Sequence, residues 1–206
     1  GLVLIEAVAP RGGLPILVVG LLSVASGIAY TGGPYPLGYH GLGDLFVFVF
    51  FGLVAVTGTY YVQATAVLPV GPFPVAVPPG TVTTAALVAS LPVAAISTDI
   101  LVVNNIRDIE TDAAAGKRTL AVVLGYTGSR VEYAGLLALA YLVPVWFVTR
   151  GVSLAVLLPL LTLPYALVVT RTVLTETSGE ALNPALSRTG KLLAAFSLLF
   201  AIGLVV

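Results

Sequence analysis

Six long apolar runs dictate what this chain can fold into. They cover residues 14–30, 45–63, 82–103, 131–148, 152–170 and about 186–206. A helix needs about 20 such residues to cross the hydrocarbon core of a membrane. A compact globule built from these runs would leave large hydrocarbon patches facing water. Composition agrees: 58% of the 206 residues are hydrophobic and 9% are charged, against roughly a quarter charged in a soluble domain. The expected fold is all-α, a polytopic transmembrane helix bundle of about six spans, forming one domain over residues 1–206. Pro92, Pro144, Pro159 and Pro164 do not oppose this, because neighbouring helices re-satisfy the carbonyls that proline frees. Arg188 and Lys191 fall in the first turn of the last run and are expected to snorkel to the interface.

Charge and rare residues exclude further classes. Nine basic and nine acidic residues give a net charge of zero, so no overall field draws in nucleic acid. The absence of cysteine removes thiol catalysis and Cys-ligated metals. Methionine is absent too, and the chain opens Gly-Leu-Val-Leu. The first ten residues are apolar but too short to span, and they lack the charged start of a signal peptide. They read as the tail of a preceding helix, so a fragment is expected.

The basic residues set an orientation. Arg107, Lys117, Arg118, Arg130, Arg171, Arg188 and Lys191, seven of the nine, fall on the side shared by the first, third and fifth loops; Arg11 and Arg150 fall on the other. The excess of positive charge is expected to face the cytoplasm, with both termini on the far side. The polar connections are read as residues 31–44, 104–130 and 174–187, while 64–81 is a Pro/Gly connector without a charge.

Chemistry concentrates in NNIRDIETDAAAGKRTLAVVLG, residues 104–125. If the third helix continues, Asn104, Asp108 and Asp112 fall one turn apart on one face. Carboxylates at that spacing lie about 5–6 Å apart and repel. A Mg²⁺ ion relieves the repulsion and keeps positions open for water and phosphate oxygens. Gly116 then breaks the helix, and Lys117 and Arg118 follow, two cations suited to grip a diphosphate. Thr119 could add a hydroxyl donor. Spacing alone leaves a second reading open, a solvated juxtamembrane loop that serves only the charge asymmetry.

The whole string is more specific than its spacing. It resembles the second Asp-rich motif of the UbiA superfamily of intramembrane prenyltransferases, in the branch of 1,4-dihydroxy-2-naphthoate polyprenyltransferases of menaquinone synthesis. Residues 29–52, AYTGGPYPLGYHGLGDLFVFVFFG, resemble that branch's loop between its fourth and fifth helices, and the likeness extends to LNP at 182–184. The resemblance implies nine transmembrane helices around a cavity open to the cytoplasm and to lipid, in a multi-pass protein of the cell (inner) membrane. It implies transfer of a polyprenyl group from polyprenyl diphosphate to the aromatic acid, with loss of its carboxylate as CO₂, giving demethylmenaquinone. By motif matching, Asp108 and Asp112 would be the catalytic, Mg²⁺-facing acids. Asn104, Asn105 and Arg107 would line the mouth, and Lys117 and Arg118 would contact the diphosphate.

The departure from the family is its first Asp-rich motif, of N-D-x-x-D type, which this sequence lacks. The six runs would correspond to family helices four to nine. Alone, the chain is expected to be inactive, either as a truncated piece or with its N-terminal part encoded separately. Another aromatic acceptor, such as a hydroxybenzoate or homogentisate, is the alternative within the superfamily. A channel or transporter is disfavoured, because the polar residues gather at one face and no inverted repeat is present.

The remaining polar residues carry paired readings. Asp99 is either a polar cavity wall or an acid reaching the near surface. His40 either touches substrate or is interfacial. Tyr30, Tyr35 and Tyr39 either stack on a cation or aromatic acceptor, or form an interfacial belt. Asp44 is expected to cap the second span. Tyr60, Tyr61 and Gln63 are expected at the far interface, and Arg171, Arg188 and Lys191 serve orientation.

Overall fold

The computed structural model describes residues 2–32 and 36–206, and among them every regular element is helical. The helices are α1 (Leu2–Thr31), α2 (Gly43–Val67), α3 (Thr84–Arg107), α4 (Ile109–Ala114), α5 (Leu120–Thr149), α6 (Leu154–Thr175) and α7 (Gly179–Val205), with a short 3-10 turn at Leu37–Tyr39 before α2. All but α4 contain a stretch long and apolar enough to cross a membrane, that of α1 being Pro10–Thr31. The six-span bundle read from the apolar runs is thus the architecture observed. Leu21, Leu22, Val24 and Ile28 stand exposed along α1, as a lipid-facing surface requires.

Two helices begin earlier than the apolar runs suggest. The fourth span starts at Leu120, not at residue 131, because Thr119 caps it: its Oγ1 accepts from the Val122 N–H at 3.3 Å. The helix then passes through a kink at Gly125, where φ is 65°. The sixth span starts at Gly179, not 186. Ser178 Oγ accepts from the Ala181 N–H at 3.4 Å, and Glu180 lies in the positive first turn, which favours an acid there. The expected loop over 174–187 shrinks to residues 176–178, and Arg188 and Lys191 lie well inside the helix. Thr83 and Ser153 cap α3 and α6 in the same way. Asp44 does not act as a cap: it sits inside the first turn of α2, buried, with no capping hydrogen bond.

Helix α3 is the centre of the bundle and packs against α2, α5 and α7. Ile96, Val102 and Ile106 of α3 meet Tyr133 of α5 and Leu182 and Phe196 of α7 in one buried core. The α2 contact is close because residue 52 is glycine. A Cβ there would stand 2.0 Å from the Ala94 Cβ, so no larger residue fits without separating the helices. The same part of α2, Phe48–Val54, is wound as a π-helix.

The loops sort onto two faces as the charges suggest. On one face, the Arg118 N–H donates to Tyr39 O at 2.9 Å. Arg130 donates to Val173 O at 3.1 Å and Glu176 O at 2.9 Å, a cation at the carbonyl end of α6. On the other face, Arg11 donates to Ala66 O at 3.0 Å and Tyr61 Oη to Gly12 O at 2.6 Å.

Candidate functional site

Helix α3 does not run on through the motif. It ends at Arg107, and Asp108 has φ −101° and ψ 7°. The one-turn register nevertheless survives the break. The Asp108 N–H still donates to Asn104 O at 3.2 Å, and the Asp112 N–H to Asp108 O at 2.8 Å. The expected stack of Asn104, Asp108 and Asp112 is therefore kept across two helices. At its upper end Asn104 Nδ2 lies 3.5 Å from Asp108 Oδ2.

Helix α4 closes with a turn that the sequence dictates. The Gly116 N–H donates to Ala113 O at 3.1 Å and the Lys117 N–H to Asp112 O at 2.9 Å. This paired closure needs a left-handed residue just past the helix, and Gly116 supplies it with φ +75°. The turn folds Lys117 back over the helix end, and its Nζ donates to Asp112 Oδ1 at 2.8 Å.

Each motif acid thus carries its own cation. Arg107 Nε donates to Asp108 Oδ1 at 2.8 Å and Nη2 to Oδ2 at 2.6 Å, a bidentate grip. Nη2 also donates to Asn104 Oδ1 at 2.9 Å. The hydrogen bonds from Arg107 hold the Asp108 carboxyl below the ordinary carboxylate range. The bond to Asp112 raises the Lys117 ammonium above its usual value. Asp108 is the more open acid, with 31% side-chain exposure against 12% for Asp112, so a ligand arriving from water meets it first.

Two other segments close around these pairs. Tyr39, in the turn before α2, places its ring 5.4 Å from Lys117 Nζ, within cation–π range. From α7, Asn183 Oδ1 accepts from Arg107 Nη1 at 2.8 Å. The cluster therefore draws on three separate segments of the chain: the 3-10 turn before α2, the end of α3 with α4, and the start of α7. Of the residues singled out from the sequence, Asn104, Arg107 and Asp108 form one side-chain cluster and Asp112 and Lys117 a second, joined through the backbone bond from the Asp112 N–H to Asp108 O. Asn105 is buried within α3 and takes no part in these bonds. The Arg118 side chain is exposed, and its backbone alone ties to Tyr39. Thr119 spends its hydroxyl oxygen on the α5 cap.

A cavity of about 640 Å³ lies between α1 and α2, lined by Ser23, Gly27, Tyr30, Phe46, Phe50 and neighbours. Its wall is almost wholly apolar. The Tyr30 and Phe46 rings lie 6.0 Å apart, and those of Phe46 and Phe50 5.6 Å apart. Tyr30 stands at one end of it, packed against Gly38 of the 3-10 turn and Gly43 at the start of α2. A hydrocarbon chain suits such a wall; a hydrated ion does not.

Asp99 is fully buried, so it does not reach the membrane surface. Both its oxygens lack a partner among the described residues, and Glu132 of α5, which the sequence reading passed over, lies near enough to act on it electrostatically. His40 is exposed, with Nδ1 2.8 Å from Pro36 O. Tyr35 falls outside the described residues.

A metal fits the chemistry of the pair. Among the described residues no three acidic, histidine or cysteine side chains converge as a cage. Magnesium does not need one: it binds through one or two carboxylates, water and substrate phosphates. Asp108 and Asp112 are such carboxylates, with Asn104 Oδ1 a neighbouring oxygen donor.

Comparison with known proteins gives an independent line. The model of the UbiA prenyltransferase family matches residues 2–205. A 1,4-dihydroxy-2-naphthoate octaprenyltransferase of Mycobacterium tuberculosis is 41% identical over 175 residues, covering 85% of this chain and 54% of that protein. Its Escherichia coli namesake is 35% identical over 189 residues, 91% of this chain and 56% of the relative. The human UbiA prenyltransferase domain-containing protein 1 is 36% identical over 177 residues, 85% and 46% of the two chains. The chain spans about half the length of the curated relatives it matches.

Proposed function

We propose that this chain, which belongs to the UbiA prenyltransferase family, carries the second acidic motif and part of the hydrocarbon site of a polyprenyltransferase. The substrates proposed are a polyprenyl diphosphate and 1,4-dihydroxy-2-naphthoate, and the product the quinol form of demethylmenaquinone. The reading rests above all on one observation: two acids a turn apart, each held by a cation, at the membrane face of an apolar bundle. The names of the relatives support the acceptor. The clustering of basic residues supports a cytoplasmic mouth in the cell membrane.

In this reading Asp108 and Asp112 hold Mg²⁺, while Arg107 and Lys117 leave the carboxylates for the oxygens of the diphosphate. Magnesium, when bound, supplies neutralisation of the charge that builds on those oxygens. The two cations add fixed positive charge at the same place, which favours cleavage of the carbon–oxygen bond. The prenyl tail lies along the apolar cavity, where Phe46 and Phe50 keep water from the allylic carbon. Tyr30, at one end of that cavity, presents a ring face to the developing cation. The acceptor's electron-rich ring carbon forms the new bond, and its carboxylate departs as CO₂.

The test uses membranes containing the polypeptide as its gene encodes it, labelled polyprenyl diphosphate and a panel of acceptors. The expected result is a prenylated naphthoquinol that forms with Mg²⁺ and not with EDTA, with CO₂ released in equal amount and hydroxybenzoate and homogentisate left unreacted. No transfer to any acceptor, or transfer indifferent to EDTA, contradicts the reading.

A further inference from the structure

Asn183 lies on α7, far in sequence from the motif, yet its Oδ1 accepts from Arg107 Nη1 at 2.8 Å. Its placement is firm. Leu182 beside it is fully buried in the core that includes Ile106, so the first turns of α7 are pinned against the end of α3. Gly179, one turn earlier, has no side chain, and the Arg107 stem passes within van der Waals reach of it, Cγ and Cδ at 3.9 Å from an ideal Cβ. The guanidinium is thus held from two sides. Asp108 and Asn104 take Nε and Nη2, and Asn183 takes Nη1.

The consequence concerns what happens when Asp108 is given to a metal. A guanidinium that loses its carboxylate becomes a free cation on a long, flexible stem, and flexible stems lose directed charge through their rotamers. Asn183 offers an acceptor that does not compete for the metal as a carboxylate does and that belongs to another helix. It keeps Arg107 at the mouth in both states.

We propose that Asn183 is a positioning residue: it tethers Arg107 so that the guanidinium passes from Asp108 to the diphosphate without leaving the site. This rests on the prenyl diphosphate reading above. The tether acts on binding, so its loss weakens the grip on the diphosphate and leaves the chemical step little changed.

The experiment measures binding of inorganic pyrophosphate in the presence of Mg²⁺ to the purified protein, as its gene encodes it, beside the KM and kcat for prenyl transfer. The variants are Asn183→Ala, Arg107→Ala and the double variant, with Asn183→Ser as a milder replacement should alanine disturb the fold. In Asn183→Ala, pyrophosphate affinity is expected to fall about tenfold, KM for the prenyl diphosphate to rise in parallel, and kcat to change less than threefold. In the Arg107→Ala background the same substitution is expected to add nothing, since the tether then holds no cation. Additive effects, or unchanged pyrophosphate affinity in Asn183→Ala, overturn the proposal, because a merely structural role in α7 acts whether or not Arg107 is present. If the wild-type protein binds no pyrophosphate and transfers no prenyl group, the functional reading fails first; a wild-type protein that does both while the cycle stays additive sinks the tether alone.

Discussion

Lys117 returns to Asp112, five residues behind it, because a left-handed glycine turns the chain between them: Nζ lies 2.8 Å from Oδ1 while the Lys117 amide closes onto the Asp112 carbonyl. One residue thus bonds the same partner through both backbone and side chain. The turn makes a prediction of its own. Nothing lies within 4 Å of a Cβ built on Gly116, yet its φ is +75°, so Gly116→Ala meets conformational strain without a clash. It is expected to cost about 1–2 kcal/mol and to weaken Mg²⁺-dependent pyrophosphate binding, because Lys117 loses its aim. Thermal unfolding in detergent and pyrophosphate titration check the two effects separately.

The Tyr39 ring beneath Lys117 Nζ gives a second prediction. Tyr39→Phe keeps the ring and is expected to retain pyrophosphate affinity within about twofold, whereas Tyr39→Leu loses a contact of roughly 0.5–1 kcal/mol at such an exposed site. Equal losses in both variants would place the role in the hydroxyl and remove the cation–π account.

A third prediction follows from Asp108. Arg107 holds its carboxyl below the ordinary range, so its contribution to stability is present above the unfolded value of about 3.9 and is lost as pH falls through the lower folded value. Lys117 has the opposite sign: its raised folded value gives a contribution complete below about 10.4 and lost as pH rises past the folded value. The difference in unfolding temperature between wild type and Asp108→Asn is therefore expected to be flat across neutral pH and to shrink at the acid extreme. A difference that grows on acidification contradicts the assignment.

The bilayer fold was legible because apolar run length is a local property, and the six spanning helices follow it, α4 alone lying outside any apolar run. The limits of two helices were not, although Thr119 and Ser178 carried the signal, a hydroxyl residue one position before the helix; polar residues within 126–132 of α5 and in the first turns of α7 part those starts from the long apolar runs. Apolarity alone hides such starts. The motif pair was legible for the same local reason, since Asn104, Asp108 and Asp112 are set by helical spacing and Gly116 by turn chemistry. What escaped depends on tertiary contact. Asn183 meets Arg107 across 76 positions, and Tyr39 meets Lys117 across a loop junction. The burial of Asp99 near Glu132 likewise comes from how α3 faces α5, which periodicity cannot fix when both helices are apolar all round.

Packing at α2 offers a fourth prediction. Gly52→Ala must displace Ala94 or its backbone, and overpacking of this kind costs about 1–3 kcal/mol. The unfolding temperature is expected to fall. Gly58→Ala, on the same helix with only the tip of Ile16 at 3.9 Å, is expected to leave it nearly unchanged and serves as the control.

The central claim is that Asp108 and Asp112 together hold the metal that receives a diphosphate. Prenyl transfer by Asp108→Asn and Asp112→Asn, measured in membranes at saturating Mg²⁺ with folding verified, tests it most directly. A loss of at least about 100-fold in each, with a raised Mg²⁺ requirement for whatever activity is left, is the predicted result; wild-type rates and wild-type Mg²⁺ dependence in both variants would contradict it.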